Sequence, residues 1–276
     1  MNGYVEIVHL HKVIDTPVGP QVIIEDFSIA MSKGECVCLL GDSSGGKSTL
    51  LAMLAGTEPM TRGNVVIANH KIDGPGPDRG ITFASPCLVP WMTPLENLLL
   101  GIDQVLRHEP RGQREQIAVD FLTLLGLAEY VHTRTSQLSP GLKQRVSIAR
   151  VAVLKPRLLL LDDPFCELDQ TTRAELQEVL QQLLIREELT TLMVTQDIDE
   201  ALLLGDRAVL MSPAPRAVVA AIHPVPFPRP RLPSQLCMQP EYLELRTRLN
   251  ACLAPQGLTL QISTTPPALQ PHTPTP

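Results

Sequence analysis

Apolar and polar positions follow two rhythms along the chain, and each change of rhythm predicts an element. Residues 4–10, YVEIVHL, and 21–31, QVIIEDFSIAM, carry the short-period apolar pattern of strands. The continuous apolar run ECVCLL at 35–40 reads as a strand covered on both faces. It leads into GDSSGGKSTLLAMLAG, whose spacing beyond Lys47 is helical, so a strand, a loop and a helix follow one another. Residues 63–83 return to strand and turn chemistry, with GNVVIA, the Gly/Pro cluster DGPGPDRG and ITFA.

Residues 93–154 read mostly as helix, with REQIAVDFLTLLGL and KQRVSIARVAVL as amphipathic stretches. Strand and helix then alternate: RLLLLDD, a helix over 171–186, TTLMVT, a short helix DEALLLG, RAVLMS and AVVAAI. The pattern is that of an α/β protein with a parallel core interrupted by a helical insertion at about 88–154. Beyond residue 222, HPVPFPRPRLP is too rich in proline for a helix or a sheet interior, and PEYLELRTRLNACL reads as one more helix. The organisation expected is a core over 1–222, an extension over 223–262 and a Pro/Thr-rich disordered tail over 263–276.

Composition narrows the picture. At 276 residues and 44% hydrophobic, the chain is long enough to bury a substantial core. No apolar run reaches the roughly 18 to 20 residues that span a bilayer, and MNGYVEIVHLHK lacks the features of a secretory leader, so a cytoplasmic start is expected. A net charge of −6 gives no basic footprint for nucleic acid, and none is expected as a partner. The six cysteines include no C-x-x-C pair and read as buried small hydrophobes, while the histidines lack ligand spacing and read as surface residues.

The chemistry concentrates in two places. Gly41-x-x-x-x-Gly46-Lys47-Ser48 follows a strand and opens a helix, which is the context a phosphate-binding loop requires. Backbone N–H groups of Gly41, Asp42, Ser43, Ser44, Gly45 and Gly46 cradle phosphates, with Thr49 completing the turn. Lys47 reaches the terminal phosphates, and Ser48 ligates Mg²⁺. The second place is the end of RLLLLDD. There Asp162 is positioned as the other protein ligand of that Mg²⁺. ATP and Mg²⁺ are the expected ligands.

LSPGLKQRVSIARV at 138–151, just before KPRLLLLDDPF and ELD, resembles the signature helix of ABC-type ATPases with the Walker B strand and D-loop behind it. CLVPWMTPLENLLLG, DIDEALLLGDRAVLM and PFPRPR look like the ATP-binding subunits of nitrate, bicarbonate and sulfonate importers, the nitrate/bicarbonate branch above all. The resemblance implies a P-loop ABC ATPase core with an antiparallel β subdomain and an inserted helical subdomain. It implies a subunit on the cytoplasmic face of the inner (plasma) membrane that works as a dimer with a second ATP-binding subunit. Permease subunits and a periplasmic or lipid-anchored substrate-binding protein complete such an importer.

Carried over position by position, the resemblance assigns Ser139, Pro140 and Gly141 to the signature facing the partner's ATP. Asp169 falls at the D-loop aspartate, which also reads as a helix N-cap. Several positions depart from the family pattern. Asp163 stands where the family has the catalytic Glu, one C–C bond or about 1.5 Å shorter. A misplacement of about 1 Å can lower a rate on the order of a hundredfold. Gln196 replaces the switch His and cannot become a cation.

Ala84 replaces a Gln that ligates Mg²⁺ and water, Ile14 an adenine-stacking aromatic, and Ser44 a glycine. Pro140 also replaces a glycine and has no N–H to offer the partner's phosphate, although it suits the first turn of a helix capped by Ser139. The expectation is an importer subunit for a small anion, nitrate first, that binds MgATP but hydrolyses it poorly beside a competent partner. A fully active ATPase subunit and a regulatory ABC protein without a permease are the alternatives. Trp91 has two readings, an anchor for the permease or a packing residue of the insertion.

Overall fold

Four consecutive leucines can be buried only if both faces of their strand are covered, and the computed structural model shows how. Leu159 and Leu161 enter one core and Leu158 and Leu160 the other, all fully buried. Successive residues of a strand point to opposite faces, so the run feeds both sides of the sheet equally. The structure describes residues 3–42 and 45–253. Ser43, Ser44, the end of the expected extension and the 263–276 tail lie outside the described residues.

In chain order the elements are β1 (Val5–Thr16), β2 (Gly19–Met31), β3 (Cys36–Leu40), α1 (Lys47–Ala55), β4 (Arg62–Ile67), β5 (His70–Lys71) and β6 (Arg79–Thr82). Then come α2 (Pro94–Val105), α3 (Arg111–Leu124), α4 (Pro140–Ala152), β7 (Leu158–Asp162), α5 (Gln170–Arg186), β8 (Thr191–Thr195) and α6 (Ile198–Leu204). The chain finishes with β9 (Arg207–Met211), β10 (Ala217–Pro224), α7 (Pro233–Leu236) and α8 (Pro240–Leu253).

The ten strands form one sheet in the order β5-β4-β1-β2-β10-β9-β3-β8-β7-β6. Strands β9, β3, β8, β7 and β6 are mutually parallel, and β10 runs antiparallel to β9. At the other side β1, β2, β4 and β5 pair antiparallel, and β10 joins the two parts by a short parallel ladder to β2. The fully apolar strands β3, β7 and β8 lie together in the parallel part, as double-sided burial demands.

Helices α2, α3 and α4, inserted between β6 and β7, pack on one another. Helix α2 starts at a capping box: the Thr93 hydroxyl accepts from Glu96 N (3.2 Å), and the Glu96 carboxylate accepts from Thr93 N (2.8 Å). Pro94 at the first helical position suits that start. Just upstream, the Val89 carbonyl accepts from Thr135 Oγ1 (2.8 Å) and from Asn97 Nδ2 (3.3 Å), both from buried side chains. The same Asn97 accepts from Val89 N (2.9 Å), so the loop is fixed while Trp91 within it stays 72% exposed.

Candidate nucleotide site

Four parallel neighbours place their carboxyl ends along one edge, where open α/β sheets bind ligands. Leu40 of β3 lies opposite Thr195 of β8, Val194 of β8 opposite Asp162 of β7, and Leu161 of β7 opposite Thr82 of β6. Gly41, Gln196, Asp163 and Ala84 therefore follow within two residues of a single line. Residues far apart in sequence, all singled out for chemistry, share one rim.

The phosphate loop is shaped by what its glycines must avoid. A Cβ on Gly41 would stand 2.9 Å from the Met211 carbonyl oxygen, and one on Gly46 would stand 2.7 Å from Ile23 Cγ2. Gly46 also adopts φ 74°, in the left-handed region where glycine is unstrained. It caps α1 without a side-chain bond, so the first N–H groups of that helix face the loop. Lys47 is buried and folds back on the loop, donating to the carbonyls of Gly41 (2.8 Å) and Asp42. Burial lowers its pKa, while the charges of Asp163, Asp42 and Asp162 oppose that shift. Ser48, one residue on, is exposed, and Thr49 is half-buried.

The carboxylate doublet sits beside it. Asp162 ends β7. Asp163 takes φ 46°, a left-handed backbone that short polar side chains tolerate best, and its N–H donates to Val194 O (3.0 Å). Burial, and then the Asp162 charge, push the Asp163 carboxyl above its ordinary value against Lys47 and Arg173. Asp163 lines a cavity of about 500 Å³ with Cys166, Arg173, Gln196, Asp197 and Glu200. Gln196 is exposed at its rim.

The signature residues occupy a different surface, the start of α4. Ser139 caps that helix, its hydroxyl accepting from Leu142 N (3.4 Å), and Pro140 stands at the first helical position. Gly141 is tightly fixed: a Cβ there would lie 2.0 Å from Thr172 Cγ2 on α5. The same Thr172 donates its hydroxyl to Asp169 (2.6 Å), and Asp169 caps α5 through the N–H groups of Thr171 and Thr172 (3.1 Å each). Those bonds, the hydroxyl's first, hold the Asp169 carboxyl below its ordinary range. The turn at 139–141 and the start of α5 thus form one packed corner of the chain, with Asp169 acting as an N-cap. Ile14 is 38% exposed on β1.

Two sequence expectations are corrected. Only Cys36 and Cys38 are fully buried, whereas Cys87, Cys166 and Cys237 are exposed and Cys252 is intermediate. The first two belong to the double-covered β3; the exposed three lie in loops or at a helix end. His223 is half-buried rather than a surface residue, and burial, then Arg248, lower its pKa.

Sequence reasoning also passed over a buried network beside Gln196. Glu200, 3% exposed, accepts the Thr195 hydroxyl, and Thr195 Oγ1 accepts from Asp197 N (3.0 Å). Arg173 stands 3.6 Å from Asp197 and 3.8 Å from Glu200. Desolvation raises the Glu200 pKa to about 7 despite the Thr195 bond. The Glu in DEALLLG is the available signal, an acidic residue directly followed by the apolar run of α6.

The rim suits a nucleotide with Mg²⁺. Its backbone closely restricts Cβ atoms at Gly41 and Gly46, and Ser48 and Asp162 offer one hydroxyl and one carboxylate. Mg²⁺ characteristically takes one or two protein oxygens and completes its shell with phosphates and water. The described residues contain no cluster of three His, Cys, Asp or Glu that would suit a different metal.

Fold and rim together define an ABC-type ATP-binding cassette, and residues 24–166 match the ABC transporter family. The chain belongs to that family. It is 40% identical over 238 residues to the bicarbonate transport ATP-binding protein CmpD of Synechococcus elongatus, covering 86% of each chain. It is also 40% identical over 245 residues to the nitrate import ATP-binding protein NrtD of the same species, covering 89% of each. Among solved structures, it resembles the dimeric post-hydrolysis state of the ATP-binding cassette MJ0796 bound to ADP and Pi. That match has a TM-score of 0.71 and 26% identity, over 81% of this chain and 99% of that one.

Proposed function

We propose that this chain is the nucleotide-binding subunit of a membrane importer for a small inorganic anion, nitrate first, and that its own site binds MgATP but hydrolyses it poorly. The observation that carries the reading is the contrast along one rim. The binding groups Lys47, Ser48 and Asp162 are retained, while Ala84, Asp163 and Gln196 replace the family's water- and phosphate-handling side chains. Relatives named for nitrate and bicarbonate transport support the substrate class. Among the described residues no helix is long and apolar enough to cross a membrane, which suits a peripheral subunit on the cytoplasmic face.

In this reading the phosphate loop and Lys47 bind the phosphates, and Ser48 and Asp162 hold Mg²⁺. The metal supplies charge neutralisation on the transferring group. Asp163 and Gln196 are left to orient water, one too short and the other uncharged. A second ATP-binding subunit with an intact site completes the dimer, as the two-chain MJ0796 cassette suggests by likeness. Its ATP meets Ser139 and Gly141 of this chain, with the N–H at Pro140 missing. The rigidly held, exposed Trp91 suits an anchor for the permease, and a periplasmic or lipid-anchored binding protein would deliver the anion.

The test is phosphate release by the purified complex. Lys47→Ala should leave most turnover, and the same change in the partner's phosphate loop should abolish it. The reverse pattern sinks the reading. A second reading, a fully active site, is favoured by the placement of the Asp163 carboxylate in the cavity it shares with Gln196 and Arg173, where a short base can still meet a water. Asp163→Asn separates the two: a fall of a hundredfold or more, on the scale of a lost general base, would establish Asp163 as a working base.

A further inference from the structure

The residues after β10 do not trail away from the rim. They cover α6, the helix that follows Gln196, and hold it at both ends. At its carboxyl end Arg231, only 4% exposed, donates through Nη1 to the carbonyls of Leu202 (2.9 Å), Leu203 (3.2 Å) and Gly205 (2.6 Å). Helix ends leave such carbonyls unpaired, and a cation is the favourable partner there. Its Nε and Nη2 donate to Phe227 O (2.9 and 2.6 Å), and its backbone carbonyl accepts from Gln181 Nε2 on α5 (2.9 Å).

At the amino end, Asp199 in the first turn of α6 accepts from Tyr242 Oη (2.6 Å) and from Arg246 through Nε (2.6 Å) and Nη2 (3.0 Å). That is a two-pronged guanidinium–carboxylate pair, the geometry in which such contacts are strongest. Tyr242 and Phe227 stand with ring centroids 6.3 Å apart, linking the two holds. Each therefore belongs to one packed unit over 225–253.

Helix α6 in turn fixes the backbone on both sides of Gln196. The Asp197 carboxylate accepts from the N–H groups of Asp199 (2.8 Å) and Glu200 (3.3 Å), and the Thr195 hydroxyl spans from Asp197 N to the Glu200 carboxylate. Residues 195 and 197 are bonded to the helix, so the backbone at Gln196 is tied to the helix on both sides.

We propose that residues 225–253 position the switch: Arg231, Tyr242 and Arg246 set where α6 lies, and the Asp197 cap and the Thr195–Glu200 bond pass that placement to Gln196. They act as positioning residues through α6, and Arg246 also borders the cavity that Asp163 and Gln196 share. The proposal rests on the reading of the rim as a nucleotide site, in which Gln196 senses the third phosphate.

The test uses the full chain with Mg²⁺ and compares binding of ADP with that of a non-hydrolysable ATP analogue. Arg246 is half exposed, so Arg246→Ala removes one hold with little risk to folding, which a melting curve checks. It should weaken the analogue roughly fivefold, the lower end of coupling between distinct sites, and leave ADP within about twofold. In a Gln196→Ala background the same change should have no further effect. Equal loss for both nucleotides, no loss at all, or a loss that persists without Gln196 would overturn the proposal.

Amide exchange of the nucleotide-free chain separates this idea from the nucleotide reading. Faster exchange at Asp197 and Glu200 in Arg246→Ala supports the hold, and unchanged protection overturns it. A wild-type chain that binds neither nucleotide, while the variant still loosens Asp197 and Glu200, would sink the nucleotide reading alone.

Discussion

The rim has two halves built by different means. Around the phosphate loop the backbone does the work: Gly46 at φ 74°, Gly41 under Met211, and Lys47 folded in against carbonyls. Along the β6 to β8 side the task falls to side chains at strand ends, and there Ala84, Asp163 and Gln196 are short, bent back or uncharged. The scaffold is equally regular under both halves, since the pairs Leu40–Thr195, Val194–Asp162 and Leu161–Thr82 run without a break across four strands. A fold can thus keep the geometry of a site while, in the reading proposed above, three side chains weaken its chemistry. Binding written into backbone is harder to lose by substitution than catalysis written into side-chain length.

The widest gap between the halves should appear in nucleotide affinity. Lys47→Ala should weaken ATP roughly a hundredfold, the loss of one or two charged hydrogen bonds, whereas Gln196→Ala should leave ADP unchanged; isothermal titration reads both. Equal losses would break the comparison. The next effect is on stability. The Glu200 carboxyl is raised from its ordinary 4.5 to about 7, so between those values the folded chain holds a proton that the unfolded chain has released. Stability should therefore fall as pH rises through that window, by on the order of 3 kcal/mol. In Glu200→Gln this fall should shrink markedly, as urea midpoints at pH 5 and pH 8 would show, leaving the part that the raised Asp163 carboxyl contributes.

Asp163→Glu sharpens the comparison from the catalytic side. Turnover should rise ten- to a hundredfold if length alone limits the site, at a stability loss of about 1 kcal/mol for a longer side chain at positive φ. An unchanged rate would move the deficit to Ala84 and Gln196. The smallest effect on the chain itself is expected for Trp91→Ala. With 72% of the residue exposed, melting should shift by no more than about 0.5 kcal/mol, while retention by permease-containing membranes should drop.

Much of this was legible in sequence where one local rule decides the outcome. The double-covered leucines, the glycine-rich turn before Lys47 and the Ser139–Pro140 helix start each carry their structure within a few residues. The helix over 240–253 was also plain from composition and spacing. What stayed hidden depends on distant partners. Arg231 sits in a stretch that sequence presents only as proline-rich, and its role exists because α6 ends beside it. The left-handed turn at Asp163, the burial of Glu200 and the contact of Gly141 with Thr172 likewise arise from packing between elements. Exposure of Cys87, Cys166 and Cys237 follows from loop and helix-end positions that residue type alone did not disclose.

The leucines of β7 have one further consequence. With the same side chain at every position, apolar pattern alone cannot tell one alignment of this strand from the next, because sliding by a residue simply exchanges leucines between the two cores. The aspartates remove that ambiguity. Drawing Asp162 and Asp163 inward would strip charge of water with no partner waiting, so the doublet works as an end-stop. It measures out the strand and leaves the carboxylates at the lip of the site.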